Sequence, residues 1–147
     1  MVIPNVILER VTTKEGFEEF FTLEEKLAGP TFKPTPRTAD VSKDRSIYFI
    51  KIGEQRVGHI SYKDQPGNTV YLDALAVEPD FHGKGIGREA MKLFLQKVSN
   101  ASKIWLVTHP DNTAAVNLYL SLGFEITERK ENYFGNGTPR VVMVLKK

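Results

Sequence analysis

The clearest chemical signal in the chain is a glycine-rich stretch at residues 82–88, which reads HGKGIGR. Three glycines remove side chains from a bend, so backbone N–H groups can approach an anion closely. The apolar residues that follow have helical spacing and predict a helix from Arg88 to Val98. Free N–H groups at the helix start carry partial positive charge, and Lys84 and Arg88 add full charges. The stretch predicts a phosphate site, although a glycine turn can also simply connect a strand to a helix.

Two other phosphate-binding motifs do not fit the sequence. No GxxxxGK[ST] occurs, which excludes a P-loop. Residues 85–90 match GxGxxA, but a dinucleotide-binding fold places that motif after its first strand, with an acidic residue about 20 positions further on. Here the glycines lie mid-chain after a predicted hairpin, so a Rossmann fold is disfavoured.

Three titratable residues are candidates for a general base. Asp73 is the first candidate, because it is the one charge in the apolar run 70–77, where a carboxylate is costly unless it is used or paired; a structural ion pair is the alternative. His109 follows the apolar run 103–108, and imidazole changes charge near neutral pH. Glu78 is a third candidate, at the end of its strand.

Metal and covalent chemistry are not predicted. The three histidines, at positions 59, 82 and 109, lack the spacing of metal ligands, and the chain has no cysteine and no GxSxG motif. We therefore expect no metal site and no thiol or serine nucleophile.

Composition predicts a single domain over residues 1–147, of soluble globular type, with 41% hydrophobic and 26% charged residues. The net charge of +2 is spread along the chain without a dense basic block, so nucleic-acid binding is not expected. No apolar run approaches the ~20 residues of a membrane span. The N-terminus resembles a strand rather than a signal peptide, which together with the lack of cysteine predicts a cytoplasmic protein.

The elements around these residues alternate between strands and helices. The first half predicts a strand at 6–11, a helix from a Thr12–Glu15 capping box to about residue 28, and a hairpin of strands 46–52 and 56–63. Between helix and hairpin lies a proline-rich loop, 29–45, in which Phe32, Arg37 and Asp40 are candidates to touch a substrate. A mobile connector is the other interpretation of that loop.

The second half predicts two buried strands in parallel. Residues 70–77 are typical of a central strand covered on both faces, and a right-handed helical crossover leads to residues 103–108. A helix from 110 to 122 and antiparallel strands at 124–130 and 140–146 complete the chain. A ligand at the glycine turn would lie at the carboxyl ends of the parallel strands.

This order of elements, with two sequence motifs, resembles the GNAT superfamily of acetyl-CoA-dependent N-acetyltransferases. The segment LAVEPDFHGKGIGREAM is similar to the family's acetyl-CoA motif, with His82 where Gln or Arg is usual, and DNTAAVNLYLSLGF is similar to a second family motif about 25 residues later. The resemblance implies an α/β (α+β) fold. Its central sheet would be mixed, mostly antiparallel and twisted, with a splayed parallel strand pair and about three to four flanking helices.

The resemblance also implies the cofactor site. The strand edge at Leu75, Ala76 and Val77 would bind the pantetheine arm of acetyl-CoA, Asn112 would steady the cofactor, and Tyr119 would contact it as the general acid for the departing thiolate. The pyrophosphate would be held by His82, Gly83, Lys84, Gly85, Ile86, Gly87 and Arg88. Tyr119 also lies on an apolar helix face, so a purely structural core role stays open.

The closing segment ENYFGNGTPRVVMVL is similar to that of protein N-terminal acetyltransferases, which implies that Tyr133 and Phe134 wall a peptide site. The ribosomal members of that group usually carry Glu where this chain has Val107. The resemblance implies an N-acetyltransferase acting on a primary amine of a protein or peptide. Alternatives are a polyamine or other small amine as acceptor, another acyl donor such as succinyl-CoA, or a non-catalytic acyl-CoA-binding module. Either a monomer or a homodimer is compatible with the sequence.

Overall fold

The computed structural model describes residues 5–28, 45–135 and 137–147, and every structural statement below concerns these residues. Phe32, Arg37 and Asp40, the candidates in the predicted loop, lie outside the described residues. Seven strands occur in the described residues: β1 Val6–Arg10, β2 Ser46–Ile52, β3 Gln55–Gln65, β4 Thr69–Val77, β5 Lys103–Thr108, β6 Glu125–Lys130 and β7 Arg140–Lys146. The helices are α1 Lys14–Leu27, α2 Ile86–Lys97 and α3 Thr113–Ser121, with a short 3-10 helix at Pro79–Phe81.

The strands form one mixed sheet in the order β1-β2-β3-β4-β5-β7-β6. β4 and β5 pair in parallel, whereas β1 with β2, β2 with β3, β5 with β7 and β6 with β7 pair antiparallel. The predicted α/β fold with a mostly antiparallel mixed sheet is confirmed. The insertion of β7 between β5 and β6 was not predicted, because sequence order alone does not reveal which neighbours pair. Among the described helices, none combines the length and apolar character needed to cross a bilayer.

The described residues group into two compact units, one within Met1–Lys63 and Ala74–Ser99 and the other within Asp64–Asp73 and Asn100–Lys147. In the first unit, α1 buries Phe20 and Phe21 with Ile47 and Phe49 of β2. The helix cap is Thr13, whose Oγ1 accepts a hydrogen bond from the Gly16 N–H at 2.9 Å. The predicted cap at Thr12 is therefore wrong by one residue, since Thr13 has the extended backbone that a cap requires.

In the second unit, β5 lies between β4 and β7 and its side chains alternate between two environments. Ile104 and Leu106 are buried, together with Val141 and Met143 of β7. The intervening residues Trp105, Val107 and Val142 are only half-buried. One face of this part of the sheet is therefore core, and the opposite face is partly open.

The central strand β4 differs from its prediction as a strand covered on both faces. Only Val70 and Leu72 are buried, and the strand is half-buried from Asp73 to Val77. The parallel ladder with β5 consists of three register pairs, from Thr69↔Lys103 to Tyr71↔Trp105, and β4 continues beyond it to Val77. An apolar strand that is only partly covered is a natural place for a ligand.

Candidate active site

The glycine-rich turn in the first unit joins the end of β4 to the start of α2. Gly83 and Gly85 have φ of +76° and +80°, and a Cβ at either position would meet no atom within 4 Å. Glycine is therefore favoured at both positions because the backbone is left-handed, and not because a side chain would lack space. Gly85 is the N-cap of α2, so the helix begins at Ile86 instead of the predicted Arg88. Gly87, expected in the bend, lies in the first helical turn.

This geometry presents backbone N–H groups at an exposed helix start. The first helical hydrogen bond runs from the Glu89 N–H to the Gly85 carbonyl at 3.0 Å, so the amides ahead of it have no helical acceptor. The Lys84 and Arg88 side chains are exposed, and the Lys84 ammonium lies 5.3 Å from the centre of the Phe81 ring. Amides without a helical acceptor, the helix dipole and two cations are the features of a candidate anion site.

His82 is turned toward the strand that precedes the loop. Its Nε2 lies 2.6 Å from the Val77 carbonyl oxygen, which makes Nε2–H the donor of that hydrogen bond. The ring therefore ties the loop to the end of β4. With the ring in this position, a phosphate could be contacted by the other ring nitrogen or by the backbone of His82.

The predicted pantetheine edge, Leu75 to Val77, is half-buried at the end of β4. The next residue, Glu78, donates its N–H to the Val57 carbonyl of β3 at 2.8 Å. Its carboxylate lies 2.6 Å from the Lys26 ammonium at the end of α1. A carboxylate held in an ion pair is less available as a general base, which weakens Glu78 as a candidate.

In the second unit, α3 carries two of the predicted residues. Asn112 is the helix cap, and its Oδ1 accepts from the Ala115 N–H at 3.3 Å. Tyr119 is 6% exposed and packs its ring 5.9 Å from that of Phe124. Burial raises the pKa of Tyr119 to about 12, since ionisation would place a charge among apolar groups. The phenol consequently stays protonated across the neutral range, as a proton donor must.

His109 is half-buried after β5, and its Nδ1 accepts a hydrogen bond from the Asp111 N–H at 3.0 Å. In the neutral imidazole the proton then resides on Nε2, so no free lone pair points outward. His109 could accept a proton only by giving up that hydrogen bond. Asp73, the other candidate base in this unit, is half-buried in β4.

An aromatic patch in the second unit was not predicted as a whole. We define it as Tyr71, Trp105, Tyr133 and Phe134. The rings of Tyr71 and Trp105 are 4.3 Å apart, and the Trp105 indole N–H donates to Gln65 Oε1 at 2.9 Å. Tyr133 meets Phe134 edge to face at 4.8 Å. The tilted contact with the Tyr71 ring and the Gln65 hydrogen bond hold the Trp105 ring in one orientation.

Electrostatics link this patch to Asp73. Burial is the main cause that raises the pKa of Tyr71 to about 12, and the negative charges of Asp73 and Tyr133 add to it. The predicted wall residue Tyr133 and the predicted base Asp73 therefore both act on Tyr71. The sequence holds a signal for Tyr71, because it is the one aromatic residue in the mostly apolar run 70–77. Its contact with Trp105 depends on a strand register that the sequence does not specify.

Within the described ranges, no group of three or more His, Cys, Asp or Glu side chains could hold a metal ion. The arrangements that remain are an anion site, a buried proton donor and an aromatic patch beside a carboxylate.

Comparison with known proteins agrees with this chemistry. Residues 12–124 match the model of the Acetyltransferase (GNAT) family. Yeast N-alpha-acetyltransferase 30 is 33% identical over 86 residues, which cover 54% of this chain and 49% of that protein. The [Ribosomal protein bS18]-alanine N-acetyltransferase of Escherichia coli K12 is 32% identical over 62 residues, covering 41% and 42%. UPF0157 protein YqkA of Bacillus subtilis is 34% identical over 115 residues, covering 77% and 30%. The matched region thus spans half or less of each curated relative.

Solved structures share the fold. The E. coli ribosomal-protein-S18-alanine N-acetyltransferase superposes with a TM-score of 0.79 at 18% identity, covering 96% of this chain and 93% of that one. Naa50 of Arabidopsis thaliana, solved with the bisubstrate analogue CoA-Ac-MVNAL, gives 0.79 at 20% identity, covering 97% and 99%. A chain of the NatC complex, solved with Gag peptide and CoA, gives 0.80 at 20%, covering 97% and 98%. At these identities the likeness establishes the fold alone.

Proposed function

Because the chain belongs to the GNAT acetyltransferase family, we propose that it transfers an acetyl group from acetyl-CoA to a primary amine. The observation that carries this proposal is the start of α2, where the left-handed Gly85 is the helix cap and the N–H groups of Ile86 and Gly87 precede the first helical hydrogen bond. A pyrophosphate matches such a site in both charge and hydrogen-bonding capacity.

Each part of the cofactor has a proposed binding segment. The pyrophosphate binds residues 82–88, mainly through backbone N–H groups, with Lys84 and Arg88 adding charge. The pantetheine amides bind the backbone of Leu75 to Val77, in the manner of an added strand. Asn112, already fixed as the cap of α3, steadies the cofactor near its thioester.

The proposed reaction is a direct transfer without a covalent enzyme intermediate. The deprotonated amine attacks the thioester carbonyl carbon, a C–N bond forms, and the C–S bond then breaks. The thiolate takes up the Tyr119 hydroxyl proton, and the amine loses its second proton to a base. The pKa of Tyr119, about 12, exceeds the ~8.5 of an ordinary thiol, so transfer of the tyrosine proton to the free thiolate is unfavourable by this difference. Burial also raises the pKa of a thiol, which makes the difference smaller.

We assign the base role to Asp73 ahead of His109. The Nδ1 of His109 accepts the Asp111 N–H and would have to give up that hydrogen bond to take a proton. A carboxylate has about four lone-pair sites on two oxygens, so Asp73 can accept a proton directly or through water while it keeps another interaction. Asp73 also acts electrostatically on the aromatic patch, where the acceptor is proposed to lie.

The proposed acceptor is the amine of a protein or peptide. The aromatic patch supports this choice, because three half-buried rings and the exposed ring of Phe134 offer apolar surface for a peptide while a nearby carboxylate attracts its ammonium group. The names of two relatives, an N-alpha-acetyltransferase and a ribosomal-protein alanine N-acetyltransferase, point the same way. Phe32 is proposed as a further acceptor contact from the loop outside the described residues.

The decisive experiment measures thiol released from acetyl-CoA with a panel of acceptors: peptides with different N-termini, lysine peptides, polyamines and aminoglycosides. We expect the N-terminal peptides to respond. Tyr119→Phe should then lower kcat by about 100-fold or more while leaving acetyl-CoA affinity intact. Tyr62→Phe is the matched control, because Tyr62 is another buried tyrosine, 8% exposed, and it should retain activity.

Two outcomes would count against the proposal. If only polyamines release thiol, the chain is a small-amine acetyltransferase and the peptide assignment is wrong. If acetyl-CoA binds but no acceptor in the panel releases thiol, a non-catalytic acyl-CoA-binding module becomes the better description.

A further inference from the structure

Gly58 lies in the buried run 57–62 of β3, unusually close to β4. A Cβ built on Gly58 would be 2.2 Å from the Ala76 carbonyl oxygen and 3.1 Å from the Val77 Cα. Real Cβ atoms essentially never come within 3.0 Å of another heavy atom, and here the obstacle is backbone, which cannot rotate aside. Only glycine lets the two strands approach in this way.

The backbone of β4 is also fixed immediately after this contact. The Glu78 N–H donates to the Val57 carbonyl at 2.8 Å, so residues adjacent to Gly58 and to Val77 are joined by a hydrogen bond. A side chain at position 58 could therefore be accommodated only if the Ala76–Val77 segment moved. That segment is half-buried at the end of β4, beyond the parallel ladder.

We propose that Gly58 is a positioning residue for the cofactor: its missing side chain sets the place of the β4 backbone that binds the pantetheine arm. The inference rests on the proposed function, in which Leu75 to Val77 receive that arm. The inference adds Gly58 of β3 to the residues that determine the cofactor site. Gly58 is proposed to act through the β4 backbone and not by contacting the cofactor.

Gly58 differs physically from the glycines of residues 82–88, which we call the phosphate turn. Gly83 and Gly85 have positive φ and open space where a side chain would stand, whereas at Gly58 the obstacle is a collision. Substitution at Gly58 should thus displace one part of the cofactor site and spare the other. The pantetheine edge would move, and His82, which is hydrogen-bonded to the Val77 carbonyl, would move with it. Residues 83–87, with the left-handed Gly83 and Gly85 and the start of α2, would keep their conformation.

The test compares two ligands in calorimetry. Acetyl-CoA uses both parts of the site, whereas 3′-phospho-ADP, the nucleotide of CoA without its pantetheine arm, uses the phosphate part only. For Gly58→Ala we expect acetyl-CoA affinity to fall by at least about tenfold, with 3′-phospho-ADP affinity within about twofold of wild type. Ile60→Val, a buried substitution on the same face of β3, is the control and should change neither affinity.

A second readout follows the backbone itself. In amide NMR spectra of the free protein, the Ala76, Val77 and Glu78 signals should move in Gly58→Ala, while those of residues 83–87 should stay in place. If the variant is unstable in plain buffer, all proteins are measured in an osmolyte that favours the folded state.

The outcomes separate this inference from the proposed function. Equal losses for both ligands, or no loss for either, overturn the positioning role, as does a variant that stays unfolded in osmolyte, because Gly58 would then be a requirement of the fold as a whole. Failure of the wild-type protein to bind acetyl-CoA is a different result: it removes the proposed function, and the inference with it.

Discussion

The phosphate turn and the aromatic patch are built in opposite ways. The phosphate turn, residues 82–88, is a run of consecutive residues, and its proposed action is through backbone amides whose direction is set by Gly83 and Gly85. The patch draws single side chains from β4, β5 and the connection between β6 and β7, and acts through ring surface and charge.

This difference decides how each region should respond to substitution. A backbone site tolerates changes of side chain but fails when the φ or the charge at its glycines changes. A side-chain site keeps its fold when a ring or carboxylate is replaced and loses only that group's chemistry. Substitutions at Gly85, Asp73 and Tyr71 can test this difference between the backbone site and the side-chain site.

The largest effect is expected from Gly85→Glu. The substitution places a residue with a Cβ at φ +80°, where strain costs about 1–2 kcal/mol, and puts a negative charge at the helix start where pyrophosphate is proposed to bind. We expect acetyl-CoA binding to fall below detection in calorimetry.

Gly67→Glu provides a closely matched control. Gly67 has φ of +79° in the turn between β3 and β4, and a Cβ there also meets nothing within 4 Å. Strain and added charge are therefore the same, and acetyl-CoA affinity should be kept. If both variants lose binding equally, or if Gly85→Glu retains it, the phosphate site has been misplaced.

The two regions also differ in how far the sequence predicts them. A backbone site of consecutive residues is visible as a motif, and the turn at 82–85 was predicted from its glycines. The helix start was misplaced by two residues because the left-handed cap at Gly85 was not anticipated. Gly58 was missed although an isolated glycine inside a strand pattern is itself a sign of close backbone approach.

The patch could not be predicted as a unit for a physical reason. Tyr71 and Trp105 meet because β4 and β5 pair in one particular register, and shifting that register by one residue would send the two rings to opposite faces. Tyr133 and Phe134 were identified by their similarity to a family segment, while Asp73 stood out through its charge in an apolar strand. These residues come from segments that are distant in the sequence, and only the tertiary structure brings them together.

An intermediate effect is expected from Asp73→Asn. If Asp73 accepts the amine proton, the amide should lower kcat/KM by about 10²-fold and flatten the acidic limb of the rate–pH profile, with acetyl-CoA affinity unchanged. Initial rates of thiol release across pH measure both. Asp64→Asn, an exposed aspartate of β3 in the same unit, should leave rate and profile as they are. A lower rate with an unaltered acidic limb would make Asp73 a structural residue.

The smallest effect concerns the ionisation of the patch. Burial is the main cause that raises the pKa of both Tyr71 and Tyr119 to about 12, but of these two only Tyr71 also owes part of its shift to Asp73. Unfolded tyrosine titrates near pH 10. The stability that these hydroxyls contribute is therefore complete below pH 10 and is lost as pH rises toward 12, because the unfolded chain releases its protons first.

Tyrosinate absorbance can separate the two residues in paired variants. With Tyr119→Phe in place, the titration of Tyr71, assigned as the transition that Tyr71→Phe removes, should move to lower pH when Asp73→Asn is added, since a neutral amide no longer opposes the phenolate. With Tyr71→Phe in place, the titration of Tyr119, assigned as the transition that Tyr119→Phe removes, should stay where it is after the same Asp73→Asn change. A shift in both backgrounds would mean that the substitution loosens the second unit generally. A shift in neither would mean that the Asp73 charge does not reach Tyr71, and the patch would then be an apolar surface without the carboxylate that the proposed acceptor site requires.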